Sequence, residues 1–360
     1  LNLPDVSIDL DLTPNRGDCF SVLGVARDVA AMSSAPMKEA VVESVTATIA
    51  DEHPVELIDP SGCPRFAARV VRNIDMSASS PVWMQERLRR SGLRPIHPVV
   101  DVTNYVMMEL GQPLHAYDLA RLNGAIRPRM AKDGETLKLL DESEVKLRTD
   151  TLLITDDSGP IGMAGIMGGH STMVTDDTVD VFFEAAFFPP AVMAGIARRY
   201  GMHTDASMRF ERGVDPQNQA RAVERATELL LAISGGDAGP LVDHHEPDHL
   251  PETGSLILRE SRLARILGAD IPVNAVTEIL TGLGFETVRK DDGWCVEIPS
   301  YRFDMDVEDA LVEEVARIYG YDNIPETTAT GDTPLATATE SLISLAAVAD
   351  TLVARDYQEI

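Results

Sequence analysis

Acidic residues are concentrated near the carboxyl end of the chain, around the start of a candidate helix. Six carboxylates fall within eleven residues, namely Asp304, Asp306, Glu308, Asp309, Glu313 and Glu314. Oxygen ligands at this density suit a hard cation such as Mg²⁺ better than zinc. Acids in a first turn also complement the helix dipole, and a run of charge is usually a solvated face. Spacing alone leaves both interpretations open and favours the second.

The acids would be positioned by an amphipathic helix and by the segment that enters it. Leu311, Val315 and Ile318 recur at the spacing of one helix face, which predicts a helix from about Glu308. We expect Asp304 on an entering strand, from which it can fold back towards the acids near the helix N-terminus.

A second candidate is a single carboxylate within an apolar run. Glu184 is flanked by aromatic residues in the sequence FFEAAFF at 182–188. An acid in such surroundings is expected to face a pocket or to be paired in the core. His115 follows Pro113 and Leu114 and is a weaker candidate, because a lone histidine is more often structural than catalytic.

A glycine-rich turn, GIMGG at 165–169, lies between these elements. It lacks the spacing and the lysine of a P-loop, which argues against nucleotide binding. A positive φ angle, or the close approach of a substrate, explains the glycines better. Arginines at 198, 199, 209 and 212 bracket the segment 203–207 and could hold an RNA end or pair with nearby acids.

The length and net charge of the chain limit the number of domains and the kinds of function that can be expected. The chain has 360 residues, which exceeds the usual size of one hydrophobic core, so two or three domains are expected. Its formal charge is −27, from 31 Lys and Arg against 58 Asp and Glu. This charge argues against general coating of nucleic acid, so any RNA contact must be local. Three isolated cysteines argue against disulfides and zinc, and favour a reducing cytoplasm.

Breaker residues and periodicity divide the chain into four parts. We expect a partial N-terminal α+β module at 1–45, a long mixed α/β module at 46–245, a small winged-helix-like acidic module at 246–326, and a linker with the start of a further core at 327–360. The class is therefore α+β and multidomain. Strands are predicted at 6–12, at 67–71 and as a pair around Trp294. Helices are predicted at 22–32, 82–91, 217–234, 261–267, 273–283 and about 341–355.

Neither end reads as the end of a protein. Leu1 is not a methionine, and a strand pattern follows it almost at once, whereas a new segment begins at 356 and stops. No stretch approaches 18 apolar residues, and no signal peptide opens the chain. We therefore expect a fragment of a longer protein that does not enter a membrane.

Six sequence blocks occur in order and carry a family resemblance. They are TPNRGDC at 13–19, VDVTNYV at 100–106, ELGQPLHAYD at 109–118, HTDAS at 203–207, RFERGVDP at 209–216 and RIYGY at 317–321. Together they resemble the bacterial phenylalanyl-tRNA synthetase β-subunit family over nearly the whole chain. The resemblance is to the middle of such a subunit. It implies that a tRNA-binding insert, a catalytic-like core and an anticodon-binding domain lie outside these residues.

The resemblance implies an editing module at 46–245 that hydrolyses tyrosine wrongly attached to phenylalanine tRNA. The positions that match the family's editing site are Thr103, Asn104, His115, Gly165, Glu184, Thr204 and Ala206. Glu184 is expected to accept the tyrosine hydroxyl, and Ala206 to leave room for the ring. His115, Thr103, Asn104, Thr204 and amides of the glycine turn are expected to hold the water, ribose or ester carbonyl.

The resemblance also implies a metal site, and the sequence departs from it. The family's ligating acids match Asp304, Ala310, Glu313 and Glu314, so an alanine replaces one ligand. Asp309 could substitute, but it points about 100° away on a regular helix. We therefore expect weak Mg²⁺ binding or none.

The implied partners are an α subunit, in a heterotetramer that uses ATP to charge phenylalanine tRNA, and the tRNA itself. Two alternatives remain: a non-enzymatic scaffold that docks the α subunit and tRNA, and a DNA-binding regulator built on the winged-helix-like module. The acid-rich helix weakens the second alternative, because a recognition element directs Lys or Arg towards phosphates.

Overall fold

The computed structural model describes residues 6–38, 41–326, 328, 331 and 343–360. The described chain separates into two compact units that divide between Ile324 and Pro325. The α-helices are α1 Val22–Ser33, α2 Val82–Arg90, α3 Pro98–Leu110, α4 Pro190–Met193, α5 Ile196–Arg199, α6 Asp205–Arg212, α7 Gln219–Ser234, α8 Glu260–Leu267, α9 Val273–Gly282, α10 Glu308–Tyr319 and α11 Leu345–Val353.

The strands form four separate sheets. They are β1 Arg65–Arg72, β2 His115–Asp118, β3 Arg127–Met130, β4 Thr136–Lys138, β5 Glu144–Lys146, β6 Leu152–Asp156, β7 Gly159–Met163, β8 Met167–Gly168, β9 Val181–Phe187, β10 Asp237–Ala238, β11 Val242–His245, β12 Ser255–Arg259, β13 Glu286–Lys290 and β14 Gly293–Glu297. The central sheet has the order β10-β1-β9-β2, and β11 also pairs with β1. The others are β3-β6-β7-β8, β4-β5 and β12-β14-β13.

Strand β9 lies at the centre of the first unit and is buried along its whole length. A continuous apolar run of this kind is typical of a strand covered on both faces. Because side chains alternate across a strand, Phe182, Glu184 and Ala186 lie on one face, while Phe183 and Ala185 lie on the other.

Each face of the central sheet has its own hydrophobic core. The Phe182 face packs against residues of β6 and β7, among them Ile154 and Ile161. The Phe183 face packs against the helices α2, α3 and α7. The sheet therefore separates a mainly β-sheet side, which carries Glu184, from a helical side.

The acidic module is a smaller α+β module within the first unit, and it has its own hydrophobic core. Helices α8 and α9 precede the ribbon β13–β14, and α10 closes the module over Trp294, which is completely buried. Leu311 and Val315 are also buried in this core, as their helical spacing predicted. The predicted α+β class is confirmed. None of the described helices is long and apolar enough to cross a membrane.

Two sequence predictions are wrong. Residues 6–12 form no strand, and Val6, Ile8 and Leu10 are exposed in an extended segment. Alternation tells how a strand would face but not whether a partner strand is present. Asp304 lies in a turn rather than on a strand, because β14 ends at Glu297. Part of the predicted helix at 341–355 lies outside the described residues, and α11 begins at Leu345.

Candidate active site

A cavity of about 210 Å³ opens on the Glu184 face of the central sheet. Its walls come from β2, from the second half of β9, from the turn between β7 and β8, and from α6. Five of the seven residues expected in the site line it together: His115, Gly165, Glu184, Thr204 and Ala206. This volume is below the roughly 300–1,000 Å³ of pockets for drug-sized ligands, so it suits a single side chain.

Glu184 is the acid of this cavity. It is 6% exposed, and Tyr117 Oη donates a hydrogen bond of 2.5 Å to its Oε2 atom. Its other oxygen, Oε1, accepts no hydrogen bond from the part of the chain that the structure describes, and Glu184 lines the cavity. Burial raises the pKa of the carboxyl to about 7, whereas the bond from Tyr117 lowers it. The carboxylate therefore has one oxygen bound and one available to a ligand.

His115 lies directly across from Glu184 in the β2–β9 register. Its Nε2 atom is buried and has no partner among the described residues. Burial lowers the pKa of the imidazole to about 4, so the ring is neutral at pH 7. A Cβ atom on Gly168 would come within 2.4 Å of His115 Cε1, so only glycine leaves room for the ring. A neutral imidazole with a free nitrogen can orient water.

Thr204 fixes the glycine turn to helix α6. As the N-cap of α6, its Oγ1 atom accepts from Ser207 N and donates to the Ile166 carbonyl, both at 3.0 Å. Its donor is therefore committed to the turn. Gly165 in that turn has φ +64°, whereas Gly168 and Gly169 do not have a positive φ, so this explanation of the glycines holds for Gly165 alone. A Cβ there would also lie 2.7 Å from the Phe210 ring.

Thr103 and Asn104 are the two expected site residues that do not line the cavity. Both lie on α3, which packs on the helical side of the sheet, opposite Glu184. Thr103 is buried, and its hydroxyl donates to the Val100 carbonyl of its own helix. The geometry thus supports a structural role for Thr103 more than contact with a ligand.

The apolar walls and Tyr117 were not singled out from the sequence. Phe188 and Phe210 form a wall with ring centroids 4.9 Å apart, and Tyr117 lines the cavity beside His115. A signal for Tyr117 was present, because residues two apart on a strand share a face and His115 had been identified.

The buried carboxyl predicts a pH dependence of stability. A raised pKa means that folded Glu184 holds its proton more tightly than the unfolded chain does, so stability falls as pH rises from about 4.5 to about 7. At about 1.4 kcal/mol per pKa unit, the ionised carboxylate costs on the order of 3 kcal/mol above pH 7. We expect Glu184→Gln to gain about that much relative to the wild type between pH 5 and pH 8, measured by urea unfolding.

A matched control is Glu252→Gln, at an exposed position, which should change stability equally at both pH values. His115 acts with the opposite sign, because an imidazole kept neutral by burial costs stability as pH falls from 6.5 to about 4. The Glu184→Gln variant should therefore lose stability on acidification through this window. A urea midpoint difference that is the same at pH 5 and pH 8 would refute the assignment.

The arginines near the cavity are paired with acids or carbonyls. Partners are Glu211 for Arg198, Asp150 for Arg199, Asp205 for Arg209, and the Leu12 carbonyl for Arg212. Of the two alternatives for this cluster, the structure supports pairing with local partners.

The acidic cluster is held together by arginines. Arg302 is 2% exposed and donates to both oxygens of Asp304, at 2.8 Å each, and to Glu314 Oε2 at 2.9 Å. Arg317 donates to both oxygens of Glu314, at 2.7 and 3.3 Å. These guanidinium groups lower the pKa of Glu314 against the opposing effect of burial. Asp304 and Glu314 are thus held together by the guanidinium group of Arg302, which donates to both.

The other two expected metal ligands lie apart from this pair. Arg262 holds both oxygens of Asp309, at 2.8 and 2.6 Å, and Glu313 is exposed. Adjacent helix positions are about 100° apart, which explains why Glu313 and Glu314 differ in burial. Within the described ranges, no three His, Cys, Asp or Glu residues are grouped so as to hold a metal ion. The residues present therefore do not fit a metal centre.

Asp28 on α1 extends the cluster to the N-terminal segment. Its carboxylate accepts from Arg317 Nη1 at 2.9 Å and from Arg16 Nη2 at 3.0 Å. Arg16 also lies 3.8 Å from Glu314. The N-terminal segment and α10 are thereby joined by partly buried ion pairs.

Comparison with known proteins gives matches along the whole chain. The family model of the B3/4 domain matches residues 62–235, and that of the tRNA synthetase B5 domain matches residues 256–321. The phenylalanine-tRNA ligase beta subunits of Photorhabdus laumondii subsp. laumondii and Pseudomonas putida are both 49% identical, over 359 and 361 residues. The chain belongs to the phenylalanyl-tRNA synthetase β-subunit family. The alignments cover 100% of this chain and 45% and 46% of those proteins.

The chain thus spans less than half the length of these β subunits. Among solved structures, an N-terminal fragment of the phenylalanyl-tRNA synthetase β subunit from Pyrococcus horikoshii aligns at 15% identity with a TM-score of 0.40. That alignment covers 86% of this chain and 85% of the other. The cavity lies within the B3/4 match, and the arginine-bound acids Asp304 and Glu314 lie within the B5 match.

Proposed function

We propose that this β-subunit segment hydrolyses tyrosine from mischarged phenylalanine tRNA, and that the cavity at Glu184 is the editing site. The observation that carries the proposal is an apolar, ring-sized cavity with a carboxylate oxygen left to accept a hydrogen bond. A tyrosyl side chain supplies both a ring for the walls and a hydroxyl for Glu184. A phenylalanyl side chain leaves the Oε1 atom of the buried Glu184 carboxylate without a hydrogen-bond donor.

Discrimination by such a site follows from the chemistry of one hydroxyl. A hydrophobic pocket rejects an added hydroxyl only weakly, by about 100-fold. An aminoacylation site that binds phenylalanine therefore also admits some tyrosine. A second site that must hydrogen-bond the hydroxyl selects in the opposite sense, because its buried polar group is costly to leave unpaired. The structure supports this arrangement with Glu184 in an otherwise largely apolar wall.

The reaction is hydrolysis of the aminoacyl ester. Water adds to the ester carbonyl, the bond to the ribose oxygen breaks, and that oxygen takes a proton, giving free tyrosine and a free ribose hydroxyl. The described lining holds no serine, cysteine or lysine, which favours direct attack by water. His115 orients this water through its unpartnered Nε2 atom. The amide of Ile166 donates to the Met163 carbonyl and that of Gly169 to the Ile161 carbonyl, so neither is available to the ester carbonyl.

The test uses a small ester, so that delivery of the tRNA does not limit the result. The chain is incubated with tyrosyl-adenosine and with phenylalanyl-adenosine, beside a blank without protein. We expect release of tyrosine but not of phenylalanine, and a loss of about 10- to 100-fold in Glu184→Ala, the worth of a hydrogen bond to a charged group. No release above the blank would contradict the proposal and favour the alternative, a scaffold that docks the α subunit and tRNA.

The assembly around this segment is also proposed from the family. The complete β subunit would join an α subunit in a cytoplasmic heterotetramer that charges phenylalanine tRNA with ATP, which only the complete enzyme would bind. We propose that the B5 segment itself binds Mg²⁺ weakly or not at all, because arginines hold Asp304, Asp309 and Glu314. Tight, saturable Mg²⁺ binding that Glu313→Gln abolishes would contradict this.

A further inference from the structure

The hydroxyl of Tyr117 is already bound to the acid of the cavity. We propose that Tyr117 is a specificity-determining positioning residue: by holding Oε2 of Glu184, it leaves Oε1 to receive the hydroxyl of a tyrosyl ester and sets the preference for tyrosine over phenylalanine. The inference rests on the proposed function and deepens it. It assigns a role to a residue that does not carry out the hydrolysis itself.

The β2–β9 register fixes the geometry of this contact. Tyr117 pairs with Phe182 and His115 pairs with Glu184, so Tyr117 and Glu184 are diagonal neighbours on one face of the sheet. The Tyr117 ring is 1% exposed and meets the His115 ring edge-on, at 4.5 Å and 81°. A ring packed in this way keeps its hydroxyl at one place, 2.5 Å from Oε2.

Burial raises the pKa of Glu184, and the hydrogen bond from Tyr117 opposes this effect by favouring the ionised carboxylate. The ionisable groups that act on Glu184 or Tyr117 are Cys63 before β1, His115 on β2 and Asp156 on β6. Burial raises the pKa of the Cys63 thiol and lowers that of His115, so both are neutral at pH 7. No cation therefore offsets the carboxylate from these positions. The Tyr117 hydroxyl is the donor that favours its ionised form.

An ionised, oriented acceptor makes the site selective. With Oε2 held by Tyr117, a substrate hydroxyl at Oε1 completes the pairing of the carboxylate. A phenylalanyl ring in the same place desolvates Oε1 without replacing the lost hydrogen bond, and a buried unpaired charge is costly. A protonated or rotated carboxyl would impose a smaller penalty on phenylalanine.

The test is Tyr117→Phe, which keeps the ring and removes the hydroxyl. We expect the ratio of kcat/KM for tyrosyl-adenosine over phenylalanyl-adenosine to fall about tenfold at pH 7.5, the worth of one hydrogen bond to a charged group. The pH midpoint of tyrosine release should be higher in Tyr117→Phe than in the wild type, because the hydroxyl that lowers the pKa of Glu184 is gone. In a Glu184→Gln background the same change should alter the ratio less than about twofold, because the two residues act as one unit.

Tyr105→Phe is the matched control. Tyr105 is also buried and donates to a carboxylate, Glu109 Oε1 at 3.3 Å, but it lies on α3 on the helical side of the sheet. Its removal should change neither the ratio nor the pH midpoint. If Tyr117→Phe also leaves both unchanged, Tyr117 is only a core residue and the inference is overturned.

Failure of the proposed function is distinguished by a binding measurement. If the wild type hydrolyses neither ester, editing is refuted, and Tyr117 is judged by calorimetric binding of L-tyrosine amide and L-phenylalanine amide. A preference for tyrosine amide that falls about tenfold in Tyr117→Phe supports the role of Tyr117 in a binding site. An unchanged preference, or binding of neither amide, overturns it.

Discussion

Replacing Ala206 with leucine is expected to lower hydrolysis of tyrosyl-adenosine on the order of 1,000-fold while the chain stays folded. Ala206 lies in the first turn of α6, half-buried, and lines the cavity. Leucine is a good helix former, so α6 should persist. Its extra carbons would occupy part of a cavity of only about 210 Å³ and exclude the substrate ring. Displacing a substrate by about 1 Å already costs roughly 100-fold, and lost burial of the ring adds to this.

Ala191→Leu is the control for the Ala206 substitution. Ala191 is exposed on the short helix α4, beside α6, and does not line the cavity. Its substitution should leave hydrolysis within about twofold of the wild type, as expected of a surface change away from the site. Full activity in Ala206→Leu would show that the ester is cleaved elsewhere. Circular dichroism of both variants checks that α6 and the sheets are retained.

Replacing Arg302 with methionine is expected to lower the free energy of unfolding by about 3–5 kcal/mol, the usual cost of removing one partner from a buried ion pair. Methionine keeps the length of the side chain but leaves Asp304 without the cation that holds both its oxygens. Glu314 keeps Arg317. Because these carboxylates are almost completely buried, water cannot replace the lost hydrogen bonds.

Arg262→Met removes a comparable ion pair at the surface of the same module. Arg262 and Asp309 are more exposed than the Arg302 cluster, and pairs of that kind contribute at most about 1 kcal/mol. Urea unfolding of both variants at pH 7 makes the comparison. Equal losses would show that burial does not decide the stability of the acidic module. A small loss in Arg302→Met would show that another cation replaces the guanidinium.

Sequence periodicity was sufficient for elements whose signals are local. The stripe of Leu311, Val315 and Ile318 gave the helix α10 at its observed start, Glu308. The aromatic run around Glu184 indicated an acid that faces a pocket or is paired in the core, and Glu184 both lines the cavity and accepts a hydrogen bond from Tyr117. These signals work because burial of one face imposes the period of the element on the sequence.

Contacts between distant segments could not be read in the same way. The hydrogen bond from Tyr117 to Glu184 depends on the β2–β9 register, which the whole sheet fixes. The acids at 302–321 are evident in the sequence, but their spacing does not predict that Arg302 is buried between Asp304 and Glu314. Thr103 matched a family motif, but α3 packs on the helical side of the sheet, so Thr103 does not line the cavity.

The ion pairs between α1 and α10 have a consequence for the growing chain on the ribosome. Asp28 and Arg317 are 289 residues apart in sequence. At roughly 5–20 residues per second, Asp28 is made about 15–60 s before the arginine that pairs with it. During that interval Arg16 is the cation already present beside it. The N-terminal segment therefore acquires its final electrostatic environment only after the B3/4 domain and most of the B5 domain have been synthesised.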